Sequence, residues 1–275
     1  MVAQKKTEAV TPPDTIQKLL DAAGEDLVLV GGQALAFWVD WYGLSHQQKD
    51  LPAISNDVDF LSRTAADRTA VRRLADAIEG EPIYPHEKSL TALVGQAVLE
   101  ISEDEYVNVD VVFKVLGIPG DTVRQRAVRI TPSRDGADFL VMHPLDVLHS
   151  RLVNLYKLEE KQNDKGRMQL ALAIEVGRSF LRHQASQASA SETASGRSPI
   201  QDFVSAIERM ATEDAGRKVA VRHGLHVADA IDPRLIPAGP FWTKRWPQLK
   251  NLMSPDYSGA IAPPKAAPTK KRPKA

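Results

Sequence analysis

Apolar positions in the first half of the chain alternate between helical spacing and short β-like runs. Four apolar residues from Ile16 to Ala23 recur at helical spacing before Gly24, which predicts a helix that ends at this glycine. The run LVLV at 27–30 is short and apolar, and it breaks at a glycine pair into the helix-favouring stretch QALAFWVDWY. The pattern therefore predicts a strand, a glycine turn and a second helix in succession.

Further strand-like runs precede a change to purely helical patterning. The segment DVDFL at 57–61 predicts a strand, and Thr64 then caps a predicted helix. Two longer extended runs follow at 91–101 and 106–115, and from His143 onward the apolar spacing is helical. We therefore expect an α+β fold in which a mixed sheet flanked by helices is followed by an α-helical domain.

Composition shifts along the chain predict the domain boundaries. A stretch rich in Ser, Ala and Gln is typical of a flexible linker, and the Pro- and Lys-rich C-terminus is typical of disorder. The predicted segments are a disordered lead at 1–13, a first domain at 14–141, a helical domain at 142–183, a linker at 184–198, a small helical appendage at 199–257 and a basic disordered tail at 258–275.

Composition also narrows the possible functions. The 275 residues include no cysteine, which excludes disulfides, thiolate nucleophiles and cysteine-ligated zinc and fits a reducing compartment. No apolar run is long enough for a membrane span or a signal segment, so we expect a cytoplasmic protein without a membrane partner. The 35 basic and 35 acidic residues balance, but five basic ones lie in the last eleven positions, which leaves residues 1–264 with a net charge of about −5. A positively charged, duplex-binding body is not indicated.

Two carboxylates interrupt the apolar strand at 57–61. Residues i and i+2 of a strand share a face, so Asp57 and Asp59 are expected on one side. Such neighbours repel each other unless a cation neutralises them, and Mg²⁺ prefers carboxylate oxygens. Asp110 interrupts the apolar run YVNVDVVFKV in the same way. Three converging aspartates would suit two divalent ions and an attack on a phosphorus atom.

The glycine pair supplies a candidate phosphate site. Gly31 and Gly32 fall at a predicted helix N-terminus, where free backbone N–H groups favour an anion and no Cβ blocks its approach. Neither the dinucleotide pattern G-x-G-x-x-G nor the P-loop pattern occurs. The turn therefore predicts phosphate binding of another kind.

These motifs together resemble the nucleotidyltransferase superfamily typified by DNA polymerase β. The segment HPLDVLHSRLVNLYKLEEK is similar to the bacterial AbiEii-like nucleotidyltransferases, many of which are toxins of toxin–antitoxin pairs. The resemblance covers roughly residues 14–183 and implies a nucleotidyltransferase-type sheet, an NTP substrate such as ATP, and Mg²⁺, with two ions expected. It implies Asp57, Asp59 and Asp110 as catalytic metal ligands.

The resemblance also implies residues that contact the nucleotide. The predicted nucleotide-binding residues are Gly31, Gly32, Gln33, Ser55, Asn56, Arg151, Lys157 and Lys161. Arg151, Asn154, Lys157 and Lys161 recur at steps of three and four, which predicts one polar stripe on a helix. Ser55 and Asn56 are equally compatible with a turn. Two features depart from the family pattern: 24 residues separate Gly32 from Asp57, and Gln169 stands where an acid is expected.

The predicted reaction moves an NMP from an NTP to a hydroxyl group and releases pyrophosphate. The acceptor is left open between RNA, tRNA among them, a protein, and a small molecule such as an aminoglycoside. Two other functions stay open: a catalytically inactive nucleotide-binding protein, and an interaction protein such as the toxin of a pair with an antitoxin partner.

Overall fold

The computed structural model of the protein describes residues 6–44, 54–132, 136–188, 199–236 and 239–262. The chain divides into two compact units, Met1–Val176 and Gly177–Ala275. The predicted helical domain therefore begins within the first unit. The residues that separate Gly32 from Asp57 lie in part outside the described ranges, as do most of the predicted linker and the basic tail.

One mixed sheet organises the first unit. Its strands among the described residues are β1 (Thr7–Glu8), β2 (Val28–Val30), β3 (Val58–Leu61), β4 (Glu81–Ile83), β5 (Leu93–Glu100), β6 (Glu105–Val112), β7 (Val128–Ile130) and β8 (Phe139–Val141). The order is β4-β5-β6-β3-β2-β8-β7, and β1 pairs with β6 off this path. β3 is parallel to β6 and β2 is parallel to β8, whereas the other neighbours in this order are antiparallel. The mixed sheet flanked by helices is confirmed.

The helices follow the predicted order. In the first unit they are α1 (Pro13–Ala23), α2 (Gly31–Trp41), α3 (Arg68–Ala77), α4 (Gly120–Arg126) and α5 (Pro144–Lys157). Helix α6 (Asp164–Ala188) contains the point where the two units divide. The second unit continues with α7 (Pro199–Thr212), α8 (Asp214–His223), α9 (Trp246–Lys250) and α10 (Pro255–Gly259). None of the helices in the described ranges is both long and apolar enough to cross a bilayer.

The two faces of the sheet carry different chemistry. Val58 and Phe60 of β3 are buried on one face, and Val109 and Val111 of β6 are buried beside them. Helix α3 covers this apolar face, because Val71 lies against Gly95, the cross-strand partner of Val111. Alternation along each strand sends the intervening side chains to the opposite face. The polar chemistry of the strands is therefore confined to one side of the sheet.

Part of the lead that was expected to be disordered, residues 6–13, contains regular structure. Thr7 and Glu8 pair in parallel with Glu105 and Tyr106. β3 covers only the other end of β6, from Val109 to Val112. Backbone groups at the opposite end of that edge also need partners, and β1 pairs with Glu105 and Tyr106 there.

Two helix boundaries differ from the sequence-based expectation. Thr64 does not cap α3, because Asp67 is the N-cap and its carboxylate accepts a 3.2 Å hydrogen bond from the Ala70 amide. Helix α6 continues to Ala188, into the segment expected to be a linker. Alanine and glutamine are good helix formers, so a preceding helix extends readily into such a sequence.

We expect the Phe60→Ala substitution to lower the free energy of unfolding by about 3–5 kcal/mol, because it opens a cavity under the sheet. Phe60 is only 1% exposed. The change is measured by chemical denaturation. Leu90→Ala is the control, because Leu90 is fully exposed and its truncation should change stability by no more than about 0.5 kcal/mol. Equal effects of the two substitutions would contradict this account of the core.

Candidate functional site

Three aspartates converge on the polar face of the sheet. Asp59 of β3 is the register partner of Asp110 of β6, so their side chains leave neighbouring strands on the same face. Asp57 lies immediately before β3. One carboxylate oxygen of each residue lies within 4.8 Å of one from each of the others. The three residues form a group that could hold a metal ion.

The closeness of these carboxylates makes the site electrostatically unfavourable without a cation. Burial above all, together with the charges of Asp57 and Asp110, raises the pKa of Asp59 from 3.8 to about 7. Arg151 and Lys161 act the other way. A cation bound by the carboxylates would remove this repulsion.

The glycine turn lies directly against the aspartates. Gly31 begins α2 with φ +67°, and a Cβ at this position would lie 1.8 Å from Asp59 Oδ2. A Cβ on Gly32 would lie 2.2 Å from Ser55 Oγ. Glycine at both positions therefore lets β3 and the residues before it approach the first turn of α2. The α2 N-terminus is thus brought beside the carboxylates, where its free N–H groups favour an anion.

Neighbouring polar side chains orient two of the three aspartates. Ser55 Oγ donates a 2.6 Å hydrogen bond to Asp57 Oδ1. Asp110 Oδ1 accepts hydrogen bonds from Gln96 Nε2 at 2.8 Å and from Asn108 Nδ2 at 2.9 Å. The Gln96 amide also donates to Asn108 Oδ1 at 3.1 Å. Because these donors engage one oxygen of Asp110, they fix its rotamer and leave the second oxygen for another ligand.

A buried arginine lies close enough to the aspartates to interact with their charges. Arg151 of α5 is only 8% exposed, and its Nη1 donates to Gln169 Oε1 at 3.3 Å. Gln169 Nε2 donates in turn to the Ile54 carbonyl at 2.7 Å. Arg151 Nε is buried without a hydrogen-bond partner in the described part of the chain. Burial lowers the pKa of Arg151, whereas Asp59 and Asp57 raise it.

Most of the predicted site residues line one polar pocket of about 270 Å³. The predicted residues that line it are Gly31, Gly32, Ser55, Asp57, Asp59, Asp110, Arg151 and Lys161. The aspartates, the glycine turn and part of the predicted polar stripe therefore meet in one place.

Three predicted nucleotide contacts do not line this pocket. Gln33 is buried, and its amide donates to the Ser55 carbonyl at 3.2 Å, so it supports the loop before Asp57. Asn56 Nδ2 donates to the Glu8 carbonyl at 3.4 Å. Lys157 is exposed at the end of α5, and the 3-10 turn Glu159–Lys161 follows. The helix ends before Lys161, so the predicted stripe is not one continuous helix face.

Several residues that line the pocket had no role predicted from the sequence. They are Lys114, Val115 and Leu116, which follow β6, and Ser150 of α5, whereas Asn154 of the predicted stripe lines the pocket as well. Gln96 gave no recognisable signal, because its role depends on its pairing with Asp110. Such a register cannot be inferred from local spacing.

Glu8 is a further carboxylate close to the site. Its register with Tyr106 places it on the same face as Asp110, and its Oε1 is buried without a hydrogen-bond partner among the described residues. Burial raises its pKa, as do the charges of Asp57 and Asp110. No sequence signal indicated this residue, because its segment carried no helical or strand pattern.

No protein-family model matches the chain, and no curated protein matches it.

We expect Gly31→Ala to destabilise the protein and to weaken metal binding, because its methyl group would displace the Asp59 carboxylate. Gly43→Ala is the matched control: Gly43 has φ +65°, but a Cβ there meets nothing within 4 Å. Both substitutions carry the backbone cost of a positive φ, of order 1–2 kcal/mol. Thermal unfolding and Mn²⁺ titration should therefore show the larger loss for Gly31→Ala. Equal losses would contradict the contact with Asp59.

We expect Asp59→Asn to stabilise the metal-free protein at pH 8. Because the folded pKa of Asp59 is raised to about 7, its contribution to stability is complete below about pH 4 and is lost as the pH rises through 7. The variant lacks this loss, so its advantage in Tm should be largest at pH 8 and should shrink towards pH 4. Each kcal/mol of relieved repulsion corresponds to about 2–4 °C.

The measurement is thermal unfolding in EDTA across this pH range. Asp104→Asn is the control, because Asp104 is exposed in the β5–β6 turn. A Tm difference between Asp59→Asn and the original chain that does not change with pH would refute the electrostatic explanation.

Proposed function

We propose that the protein is a metal-dependent nucleotidyltransferase that moves an NMP from an NTP to a hydroxyl acceptor. The convergence of Asp57, Asp59 and Asp110 within 4.8 Å carries this proposal. The glycine turn at the same pocket and the buried Arg151 support it, because both favour an anionic ligand beside the carboxylates. The motifs resemble the AbiEii-like group of the polymerase β-like superfamily, and membership in that group is part of the proposal.

The aspartates have the donor chemistry for Mg²⁺. All three offer hard carboxylate oxygens, and their mutual repulsion favours a divalent ion. Asp57, Asp59 and Asp110 would hold the metal, with Ser55, Gln96 and Asn108 fixing the rotamers of Asp57 and Asp110. When bound, Mg²⁺ would supply Lewis-acid stabilisation of the charge that develops on the transferred phosphoryl group.

Cationic side chains of the pocket would bind the phosphates. Arg151, Lys161 and Lys114 line it, and the N–H groups at the start of α2 add uncharged donors. Arg151 is well suited, because a guanidinium donates in a planar fork to phosphate oxygens and its Nε has no partner among the described residues. These contacts would align the α-phosphorus for attack by the acceptor hydroxyl as the bond to pyrophosphate breaks.

The acceptor is the open part of the proposal. RNA, protein and small-molecule hydroxyl groups all fit the chemistry of the pocket. Incubation with each labelled NTP, Mg²⁺ and cell lysate, followed by separation into RNA, protein and small molecules, identifies the acceptor by the fraction that carries the label. An antitoxin partner would be recovered as a protein that copurifies and suppresses this labelling.

We expect Asp57→Asn and Asp59→Asn each to reduce Mg²⁺-dependent nucleotide transfer by about 10²–10³-fold, because metal stabilisation of the transition state is worth several kcal/mol. The assay follows label transfer and pyrophosphate release. Asp104→Asn is the control for a change of one surface charge. Unchanged rates in the Asp57 and Asp59 variants would refute the mechanism. NTP binding without pyrophosphate release by the original chain would favour the inactive nucleotide-binding protein.

A further inference from the structure

Arg151 carries a buried charge whose direct partner is neutral. It is 8% exposed, and Nη1 donates to the Gln169 amide oxygen. Within the described chain, no carboxylate lies within ion-pair distance of this guanidinium, and Nε is buried without an acceptor. The nearest compensation comes through space from Asp59 and Asp57. An anion in the pocket would stabilise a buried guanidinium in this state, since a buried charge without an ion-pair partner is costly.

Gln169 holds Arg151 in place without neutralising it. Gln169 is 7% exposed and uses both ends of its amide: Oε1 accepts from Arg151, and Nε2 donates to the Ile54 carbonyl. A carboxylate of the same shape would satisfy Arg151 as an ion pair but would have no hydrogen to donate to Ile54. The neutral amide is therefore the side chain that meets both partners and leaves the charge of Arg151 available.

The same two aspartates bear on a candidate metal and on Arg151. Asp59 and Asp57 are the negative charges that compensate Arg151, and they are also the candidate metal ligands. A divalent cation on these aspartates would cancel that compensation and repel the guanidinium. Arg151 is buried in α5 and tethered to Gln169, so it cannot relieve the repulsion by turning into solvent. An anion in the pocket would restore the balance.

We propose that Gln169 is a positioning residue that keeps Arg151 charged towards the pocket and thereby makes the binding of a divalent cation and of a phosphate-bearing ligand mutually dependent. The inference rests on the proposed function in one respect, because it takes the anionic ligand of the pocket to carry phosphate. Linkage requires the effect to be reciprocal: the anion tightens cation binding by the factor by which the cation tightens anion binding. A site of this kind binds its cation weakly until the anion is present.

The isosteric substitution Gln169→Glu tests this inference. The added carboxylate should compensate Arg151 permanently, so Mn²⁺ alone should bind about tenfold more tightly and inorganic triphosphate alone about tenfold more weakly than in the original chain. Mn²⁺ binding is measured by electron paramagnetic resonance, and metal-free triphosphate binding is measured by calorimetry in EDTA. Shifts in opposite directions are the expected result. Weakening of both ligands, or no change in either, would overturn the proposal, since damage to the pocket alone would weaken both.

The Gln169→Leu substitution tests the hydrogen bonds of Gln169 separately from the effect of an added charge. It removes both hydrogen bonds of the amide without adding a charge, so triphosphate binding should weaken while Mn²⁺ affinity stays within about twofold. A second measurement on the original chain does not depend on the folding of any variant. Inorganic phosphate should tighten Mn²⁺ binding about fivefold or more, and equal Mn²⁺ affinities with and without phosphate would overturn the proposal.

These tests are independent of catalysis, so the two proposals can fail separately. If the coupling is observed but no label is transferred in any fraction, the nucleotidyltransferase proposal fails while the role of Gln169 stands. If label transfer depends on Asp57 but Gln169→Glu leaves both affinities unchanged, the role of Gln169 fails while the proposed function stands.

Discussion

The pairing of β3 with β6 places two like charges opposite each other at the centre of the sheet. Asp59 and Asp110 are register partners, and Asp57 adds a third carboxylate at the start of β3. The other face of the same strands is fully apolar and buried, so the charges cannot move to it without exposing Val58 and Phe60. Burial of the apolar face therefore keeps the three carboxylates close together despite their mutual repulsion. The surrounding residues reduce this repulsion only in part.

Neighbouring residues position the three carboxylates and partly compensate their charge in three ways. The absent side chain of Gly31 lets the Asp59 carboxylate lie against the first turn of α2, close to donors of partial positive charge. The amides of Gln96 and Asn108 hold Asp110 through one of its oxygens. Arg151 and Lys161 provide positive charge across the pocket, yet neither closes an ion pair with the aspartates among the described residues. The carboxylates are thus oriented and only partly compensated, which leaves them able to bind a cation.

The charge of Arg151 is also only partly compensated, and Gln169 is the residue that contacts it directly. If Arg151 formed an ion pair with a carboxylate, the folded protein would be more stable. Its charge would then already be neutralised, and the pocket would attract an anionic ligand less strongly. A neutral amide at position 169 keeps the guanidinium in place through hydrogen bonds while its charge stays open. On the proposed role of Gln169, a lower local stability would accompany the binding of a charged ligand, as is common at functional sites.

The sequence by itself determined the features that depend on local spacing. Alternation in DVDFL and YVNVDVVFKV placed Asp59 and Asp110 on polar strand faces, and the glycine pair marked the start of α2. Each follows from the two-residue period of a strand or from backbone freedom at glycine, and neither requires knowledge of distant residues.

Only the tertiary structure decided which distant residues meet these features. The pairing of β1 with β6 brought Glu8 to the site, strand register brought Gln96 to Asp110, and helix packing buried Arg151 against Gln169 while leaving Lys157 in solvent. Register and packing are set by the simultaneous burial of many apolar side chains that are far apart in the chain. The local pattern around any one of these residues contains no information about that outcome.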